Sequence, residues 1–349
     1  MQKNKIKNNK IRKTALEYVN CDFCNSNSHQ IILTSKDYIF EKVPGIFRLV
    51  KCLNCGLIFT NPRLNKKELA KYYSKIVNYE NKPQYVYLNS RFSILRRNDL
   101  LTYYFNYPIL RKSRFRKLIQ FPNYLRIWRE WKKSCFVPKY IKNGNILEIG
   151  CSYGGYLYQL KKIGWNIKGI ELNEEAVNYA NKKLNLDVMN VSIEDFSSNS
   201  KFDFIYLSMV LEHVISPMKV LRKLNSLLKS EGALILSIPN FNGIEVRIFR
   251  KYAYIIQLPF HLFHFTPKTI RNYLKALNFK KIRIIYQNSD RDLLAPLNYI
   301  LRENPNNVSC KILHKLFFNV FIRKTLIKIV INLLSYIGKT SRMTVIAQK

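Results

Sequence analysis

The chain has 349 residues, 47% of them hydrophobic, which is enough for a substantial core and for more than one folded unit. Its formal net charge is +37, from 59 Lys and Arg against 22 Asp and Glu. A chain this basic is expected either to meet an anionic partner or to reflect a general bias toward Lys. It contains no uninterrupted apolar run of about 18 residues, which excludes an evident membrane-spanning helix.

Residues 1–14 form a basic tail that is rich in Lys and Asn and lacks the apolar segment of a secretion signal. We therefore expect a cytoplasmic protein, with at most peripheral contact to the inner face of the membrane. In that reducing compartment the seven cysteines are available for metal binding or packing rather than for disulfides.

Residues 15–65 carry two Cys-x-x-Cys pairs with 27 residues between them. Four thiolates can close a tetrahedral zinc site, and a β-hairpin fits between the pairs. The predicted ligands are Cys21, Cys24, Cys52 and Cys55. Because a four-cysteine site leaves no open coordination position, the expected Zn²⁺ is structural.

Residues 66–137 are predicted to be helical and are dense in basic and aromatic side chains. Between Lys82 and Lys133 there are 13 Lys and Arg and only two acids. Such a segment can form a cap or linker beside a bound cofactor, a surface for anionic lipid, or an RNA-binding face. The sequence leaves these three alternatives open.

From residue 138 onward, apolar strand patterns alternate with amphipathic helix patterns, which predicts a parallel α/β sheet. The predicted strands cover 145–150, 166–171, 187–192, 202–209, 232–238, 279–286 and 343–347. The predicted helices begin near Gly154, Asn173, Pro217 and Thr266. We assign residues 138–349 to one domain, with a helical insertion at about 287–341 before the last strand.

The first strand of this domain leads through Glu148 into a glycine loop between Gly150 and Gly154. Glycine lets a ligand approach the backbone closely, and the helix that follows offers free N–H groups. Glu171 ends the next strand, at a distance along the chain that suits binding of a ribose diol. The pattern predicts a nucleoside-containing cofactor. Its spacing differs from the Gly-x-Gly-x-x-Gly loop of dehydrogenases, which disfavours hydride transfer.

These motifs resemble class I S-adenosylmethionine (SAM)-dependent methyltransferases, and they occur in that family's order over residues 139–286. The segments that carry the resemblance are Glu148–Gly154, Glu171, Phe202–Ile205, Leu211–Val214 and Gly232–Asn240. The resemblance implies a Rossmann-like fold, SAM as cofactor, and methyl transfer. The cofactor-binding residues that it implies are Glu148, Gly150, Cys151, Gly154, Glu171, Leu172, Ser192, Ile193 and Ser208. Family members often carry an acid at the position of Ser192.

The segment Leu258–Thr266 resembles the corresponding part of sugar methyltransferases. A hydroxyl acceptor must lose its proton, and a histidine can take it at neutral pH. His261 is therefore the predicted base, with His264 and His213 as further candidates; the alternative is that these rings only pack among aromatic side chains. Carbon-methylating relatives carry a Tyr and a Glu where this chain has Leu258 and Phe260, which favours methylation of oxygen.

The cysteine segment Cys52–Arg63 resembles the zinc module of methyltransferases associated with sugars and polysaccharides. Together the motifs predict a methyltransferase for a hydroxyl of a sugar, nucleotide-sugar or lipid-linked saccharide in glycan biosynthesis. Three alternatives stay open: an RNA methyltransferase, a sugar C-methyltransferase, and a non-catalytic binding module attached to the membrane.

A second basic region covers residues 311–339, where apolar runs alternate with Lys and Arg. This composition is typical of a pair of helices that lie in a membrane interface. A helical hairpin packed on its own domain is the alternative.

Overall fold

A computed structural model of the chain describes residues 15–76, Tyr107 and residues 137–349. The predicted tail (1–14) and nearly all of the basic, aromatic segment (82–133) lie outside these residues. Tyr107 is the exception. It is buried, and its hydroxyl accepts a hydrogen bond of 2.7 Å from Trp165 Nε1 and donates one of 3.0 Å to Pro138 O. Tyr107 is therefore a core residue rather than part of a binding face.

The N-terminal part is a small β unit, which we call the cysteine module (residues 15–65). β1 pairs with β5, while β2, β3 and β4 form an antiparallel sheet; helix α1 follows. The bounds are β1 Leu16–Glu17, β2 His29–Ser35, β3 Phe47–Cys52, β4 Ile58–Thr60, β5 Arg63–Leu64 and α1 Lys66–Ile76. The hairpin expected between the two cysteine pairs is thus formed by β2 and β3.

The C-terminal part is a larger α/β unit. Its first elements are β6 Asn145–Ile149, α2 Gly155–Lys162, β7 Asn166–Glu171, α3 Glu174–Leu184, β8 Val188–Asn190, β9 Phe202–Ser208, α4 Pro217–Leu227 and β10 Leu228–Pro239. They are followed by α5 Ile244–Phe249, β11 Phe263–His264, α6 Pro267–Ala276 and β12 Lys280–Tyr286. The last elements are α7 Arg291–Glu303, α8 Val308–Phe318, α9 Val320–Ile322, a π-helical turn Arg323–Ile327, α10 Lys328–Tyr336 and β13 Arg342–Gln348.

Seven strands form one sheet in the order β8-β7-β6-β9-β10-β13-β12. β13 is antiparallel to both neighbours, and the first five strands of this order are parallel. The predicted Rossmann-like α/β fold is therefore confirmed. The chain order reverses between β6 and β9, and in open α/β sheets ligands bind at the carboxyl ends of the strands at such a point.

Local sequence explains why the helices begin where they do. The side chains of Asn173 and Ser216 accept hydrogen bonds from the backbone of the first turns of α3 and α4. Thr266 and Thr269 form a reciprocal capping box at the start of α6. These residues satisfy N–H groups that the helix itself leaves without partners, and so they fix the helix starts expected from the sequence.

The helices between β12 and β13 pack on one another through a small apolar cluster. It is formed by Leu294 of α7 with Ile327 and Ile331, each at most 5% exposed. Within the described residues, no helix has the length and apolar character needed to cross a membrane.

The cysteine module is joined to the larger unit by a shared sheet. β11 adds to the module as an edge strand, antiparallel to β4, with Phe263 opposite Phe59 and His264 opposite Ile58. A second link is Asp22, whose carboxylate accepts hydrogen bonds from Ser216, Met218 and Tyr273 at 2.5–2.9 Å. The sequence did not predict either link, because both join residues that lie far apart in the chain.

Candidate active site and metal centre

The glycine loop lies at the carboxyl end of β6. Gly150 and Gly154 have φ angles of +68° and +76°, a backbone region that residues with a Cβ rarely adopt. A Cβ on Gly150 would lie 2.7 Å from Val210 Cγ2, and one on Gly154 would lie 2.4 Å from Leu186 Cδ1. The loop therefore needs glycine for both conformation and space, and it brings Val210 of the β9–α4 turn against β6.

Two carboxylates flank this loop. Glu171 is 9% exposed and accepts hydrogen bonds from the backbone N–H groups of Ser152, Leu172 and Asn173 at 2.8–2.9 Å. Glu148 is buried, and its Oε2 has no hydrogen-bond partner among the described residues. Burial, and secondly the charge of Glu171, raise the pKa of Glu148 well above its usual range. We call these two carboxylates the acidic edge. Glu171 is held rigidly by its three hydrogen bonds, whereas one carboxyl oxygen of Glu148 has no hydrogen-bond partner among the described residues.

The other residues predicted to bind the cofactor lie around the same edge, with different exposures. Leu172 is 72% exposed, whereas Ile193 is buried. Ser192 donates a hydrogen bond of 2.6 Å to Asp195 Oδ2. The carboxylate of Asp195 therefore lies beside Ser192, the position where family members often carry an acid. Ser208 is the last residue of β9.

Cys151 is oriented away from this edge. Its sulfur would lie 2.8 Å from a Cβ placed on Gly169, and the residue is 5% exposed within a cluster that includes Leu157. Burial raises the pKa of its thiol. Only the backbone of Cys151 is left to face a ligand.

The three predicted histidines form one cluster beside β9. The ring centroids of His213 and His261 are 4.6 Å apart, and those of His261 and His264 are 6.1 Å apart. Nδ1 of His213 lies 3.0 Å from Phe260 O, and Nδ1 of His261 lies 2.7 Å from Ile255 O. Because a carbonyl can only accept, each Nδ1 carries the proton and each Nε2 keeps its lone pair.

Burial keeps these rings neutral. It lowers the pKa of His213 to about 4 and that of His264 to about 3, and it lowers the pKa of His261 well below its usual range. Nε2 of His261 and both ring nitrogens of His264 have no hydrogen-bond partner among the described residues.

Glu212 also belongs to the cluster, although the sequence analysis gave it no role. It is fully buried, and neither carboxyl oxygen has a hydrogen-bond partner in the described part of the chain. Burial raises its pKa to about 8. Its backbone carbonyl accepts hydrogen bonds from Leu262 and Phe263 at 2.8 and 3.1 Å, which ties the β9–α4 turn to the histidine segment. Its position directly before His213 in the sequence is the signal that could have identified Glu212 as a functional residue.

The cysteine module holds the same segment from the other side. Thr60 Oγ1 donates a hydrogen bond of 2.8 Å to His261 O, and Thr60 N donates one of 2.9 Å to Leu262 O. The positions of His261 and His264 therefore depend on β4 and on its pairing with β11.

The four predicted zinc ligands meet at one end of the module. Their sulfur atoms all lie within 4.8 Å of one another, with Cys21–Cys55 at 3.4 Å and Cys24–Cys52 at 3.5 Å. Tetrahedral Zn–S bonds of about 2.3 Å place sulfurs about 3.8 Å apart, so the four side chains fit a zinc ion. An ion there would join the loop that carries Cys21 and Cys24 to the end of β3 and the loop that follows it.

Residues 112–284 match the model of a methyltransferase domain. This match covers 173 of 349 residues and spans the glycine loop, both carboxylates and the histidine cluster. The match identifies this part of the chain as a methyltransferase domain, in agreement with the sheet described above.

Curated relatives with similar sequences are named ubiquinone biosynthesis O-methyltransferase. The protein from Actinobacillus pleuropneumoniae serotype 7 is 29% identical over 143 residues, covering 38% of this chain and 58% of that protein. The one from Coxiella burnetii strain Dugway 5J108-111 is 26% identical over 144 residues, with 40% and 59% covered. The chain thus spans less than two thirds of the length of these relatives.

A solved SAM dependent methyltransferase from Archaeoglobus fulgidus is also similar. It is 17% identical, with 65% of this chain and 92% of that chain covered and a TM-score of 0.38.

The cysteine cluster predicts a zinc stoichiometry that mutation can change. Cys21→Ser should remove one equivalent of zinc per chain and lower the melting temperature by roughly 5–10 °C, because it opens the site that fixes the module. Cys310→Ser is the matched control, since Cys310 is buried but lies in α8, outside the cluster. Elemental analysis and a thermal melt measure both effects; an unchanged zinc content in Cys21→Ser would contradict the assignment.

Proposed function

We propose that this protein is a SAM-dependent O-methyltransferase that acts on a hydroxyl group of a small molecule. The observation that supports the proposal is that two groups of residues, one after β6 and one after β9, lie next to each other. The glycine loop with its two carboxylates lies at one strand end, and the buried histidine cluster lies next to the other. Val210 contacts the loop at Gly150, and its carbonyl accepts a hydrogen bond of 3.0 Å from His213 N.

The acidic edge suits this cofactor. SAM supplies an activated methyl group on a sulfonium and also carries a cationic ammonium, so carboxylates are fitting neighbours. In a chain of charge +37, Glu148 and Glu171 are two acids placed side by side, and a cationic ligand between them would favour the ionised form of Glu148. Glu148 Oε2 lacks a partner among the described residues, and Glu171 is fixed at the end of β7, where a ribose is expected.

A hydroxyl acceptor is supported by the chemistry of the histidines. Methyl transfer is an in-line displacement in which alignment matters most, and an oxygen acceptor must also give up its proton. His261 is neutral and holds its Nε2 lone pair toward the interior, so it can accept that proton. The names of the curated relatives also describe O-methylation. Leu258 and Phe260 are both buried and apolar, which leaves carbon methylation without its acid–base partners.

A saccharide carrying phosphate is our proposed class of acceptor, rather than a ubiquinone precursor. A groove of about 910 Å³ separates the cysteine module from α5 and α6. Four of the residues that line it are cations: Lys51, Arg247, Arg250 and Lys268. Phe241 lines the groove as well, and its ring packs on His264 with centroids 5.7 Å apart. The groove therefore extends toward the histidine cluster with a lining that suits an anionic group.

We also propose that residues 308–337 contact an anionic membrane surface. Of 21 exposed large hydrophobic side chains in the described residues, 13 lie in this segment, including Phe321 (75%) and Tyr336 (87%). Its inner face already packs on α7 through Ile327 and Ile331. Helices that are apolar on both sides are normally covered on both sides. The chain has no Asp or Glu after Glu303, so the surrounding charge is basic and complements acidic lipid.

Glu171→Gln tests the cofactor site. The loss of charge-assisted bonds to the ribose should weaken SAM binding by roughly 10- to 100-fold in calorimetry. Glu175→Gln is the matched control, because Glu175 is exposed four residues further along and should leave the affinity unchanged. Equal affinities for both variants would refute the assignment of Glu171.

His261→Ala tests the acceptor site. Transfer of labelled methyl from SAM to hydroxyl acceptors should fall by roughly 10²- to 10⁴-fold while SAM affinity is kept. His314→Ala, a change at a half-buried ring in α8 outside the histidine cluster, should have no effect. A panel of nucleotide-sugars and catechols then separates the saccharide proposal from the phenolic one. Full activity of His261→Ala would remove this residue from the reaction.

Sedimentation with vesicles tests the membrane surface. The full chain should bind vesicles that contain phosphatidylglycerol, and the double change Phe321→Ser with Leu326→Ser should weaken binding roughly 10-fold or more. Tyr18→Ser with Ile46→Ser is the control, since these side chains are 78% and 75% exposed in the cysteine module. Equal binding by both double variants, or no binding by the wild type, would contradict the proposal.

A further inference from the structure

We propose that Glu212, His213 and His261 bind a divalent transition-metal ion, at a second metal site distinct from the four-cysteine site. Each residue contributes one ligand atom, and the three atoms lie within 4.8 Å of one another. Glu212 and His213 come from the turn after β9, and His261 comes from the segment before β11. The site therefore closes between two parts of the chain that the Glu212 carbonyl and Thr60 already hold together.

Glu212 provides the strongest reason to expect an ion. Its side chain is 0% exposed, and neither oxygen has a hydrogen-bond partner among the described residues. An unpaired carboxyl group in a buried site costs free energy unless a counter-charge is present. The charge of Arg342 favours the ionised form of Glu212, but its guanidinium is paired with Asp292 at 2.9 Å and forms no hydrogen bond with Glu212. A cation between Glu212 and the two rings would complete the cluster.

The histidines are oriented as metal ligands usually are. In most metal sites the ligating histidine donates its other ring N–H to a carbonyl or carboxylate, which fixes the ring and directs the lone pair at the ion. His213 and His261 both place Nδ1 at a backbone carbonyl, at 3.0 and 2.7 Å. Nε2 is thus the ring nitrogen of each that carries a lone pair, and Nε2 of His261 is buried without a partner in the described chain.

The ligand set indicates the class of ion. Two imidazoles and one carboxylate suit Zn²⁺, Fe²⁺ or Co²⁺, whereas Mg²⁺ and Ca²⁺ prefer sites made of oxygen ligands. Three protein ligands also leave at least one coordination position open, unlike the closed four-cysteine site.

This placement rests on the proposed methyl transfer but gives His261 a different role, because an Nε2 that binds an ion cannot also accept the proton of the acceptor. An open position beside Val210, which contacts the glycine loop, would lie next to the methyl donor and could hold the acceptor oxygen. Activity alone cannot test this, because His261→Ala removes either a proton acceptor or a ligand. Metal content distinguishes the two roles.

Cobalt titration of metal-free, reduced full-length protein provides the test. The wild type should bind two equivalents: one with the thiolate-to-cobalt charge-transfer band of the cysteine site, and one with only weak visible bands. Glu212→Gln and His261→Gln should each lose the second equivalent and keep the first. Cys21→Ser should disrupt the first and keep the second. His314→Gln, a change at a histidine in α8 outside the cluster, is the control and should bind both.

Two results would overturn the proposal. One is a single equivalent of cobalt in the wild type. The other is a second equivalent that Glu212→Gln and His261→Gln leave unchanged, which would place the ion elsewhere. Calorimetry of SAM on the same samples keeps the outcomes separate: SAM binding with no second ion refutes only the metal site, whereas a second ion with no SAM binding refutes only the proposed function.

Discussion

The pairing of β4 with β11 is the interaction on which the candidate site depends. A two-residue strand is too short to be stable alone, and Phe263 and His264 are extended because β4 gives them backbone partners. The hydrogen bonds from Thr60 to the carbonyls of His261 and Leu262 extend this contact to the two residues before β11. The cysteine module is therefore part of the architecture of the histidine cluster, and a metal bound by its four thiolates would act on the reaction through position alone.

Charge is distributed unevenly around this framework. The chain is strongly basic, yet Glu148 and Glu171 lie at the carboxyl ends of β6 and β7, and Glu212 lies in the turn after β9. Buried acids are costly, so their presence at one sheet edge favours a cationic occupant over an empty pocket. The proposed sulfonium cofactor would neutralise the first two carboxylates, and the proposed metal ion would neutralise the third. The apolar helices after Glu303, in contrast, lack acids altogether and suit an anionic surface.

The sequence could predict the features of the fold that depend on residues close together in the chain. Strand limits, the capping residues Asn173 and Thr266, and the glycine loop follow from patterns within about ten residues, and the structure has them where expected. The cluster of four cysteines could also be predicted, because two Cys-x-x-Cys pairs are typical of a metal site. The sequence could not predict that β11 would join the cysteine module, or that Asp22 would bind Tyr273, since each contact joins residues about 200 or more positions apart.

Glu212 shows a different limit, because its neighbours in sequence were noticed but its environment was not. A Glu-His pair in a turn is ordinarily exposed, and the free-energy cost that makes Glu212 informative arises only when the fold buries it beside the histidine segment. The same enclosure gives His213 and His261 their fixed tautomers, since each Nδ1 meets a carbonyl that only the folded chain supplies. The chemistry of the cluster thus comes from tertiary structure, with the cysteine module holding its outer side and the glycine loop its inner side. The acidic edge and the buried cluster are consequently neighbours, joined through Val210, which lies against Gly150 and accepts a hydrogen bond from His213 N.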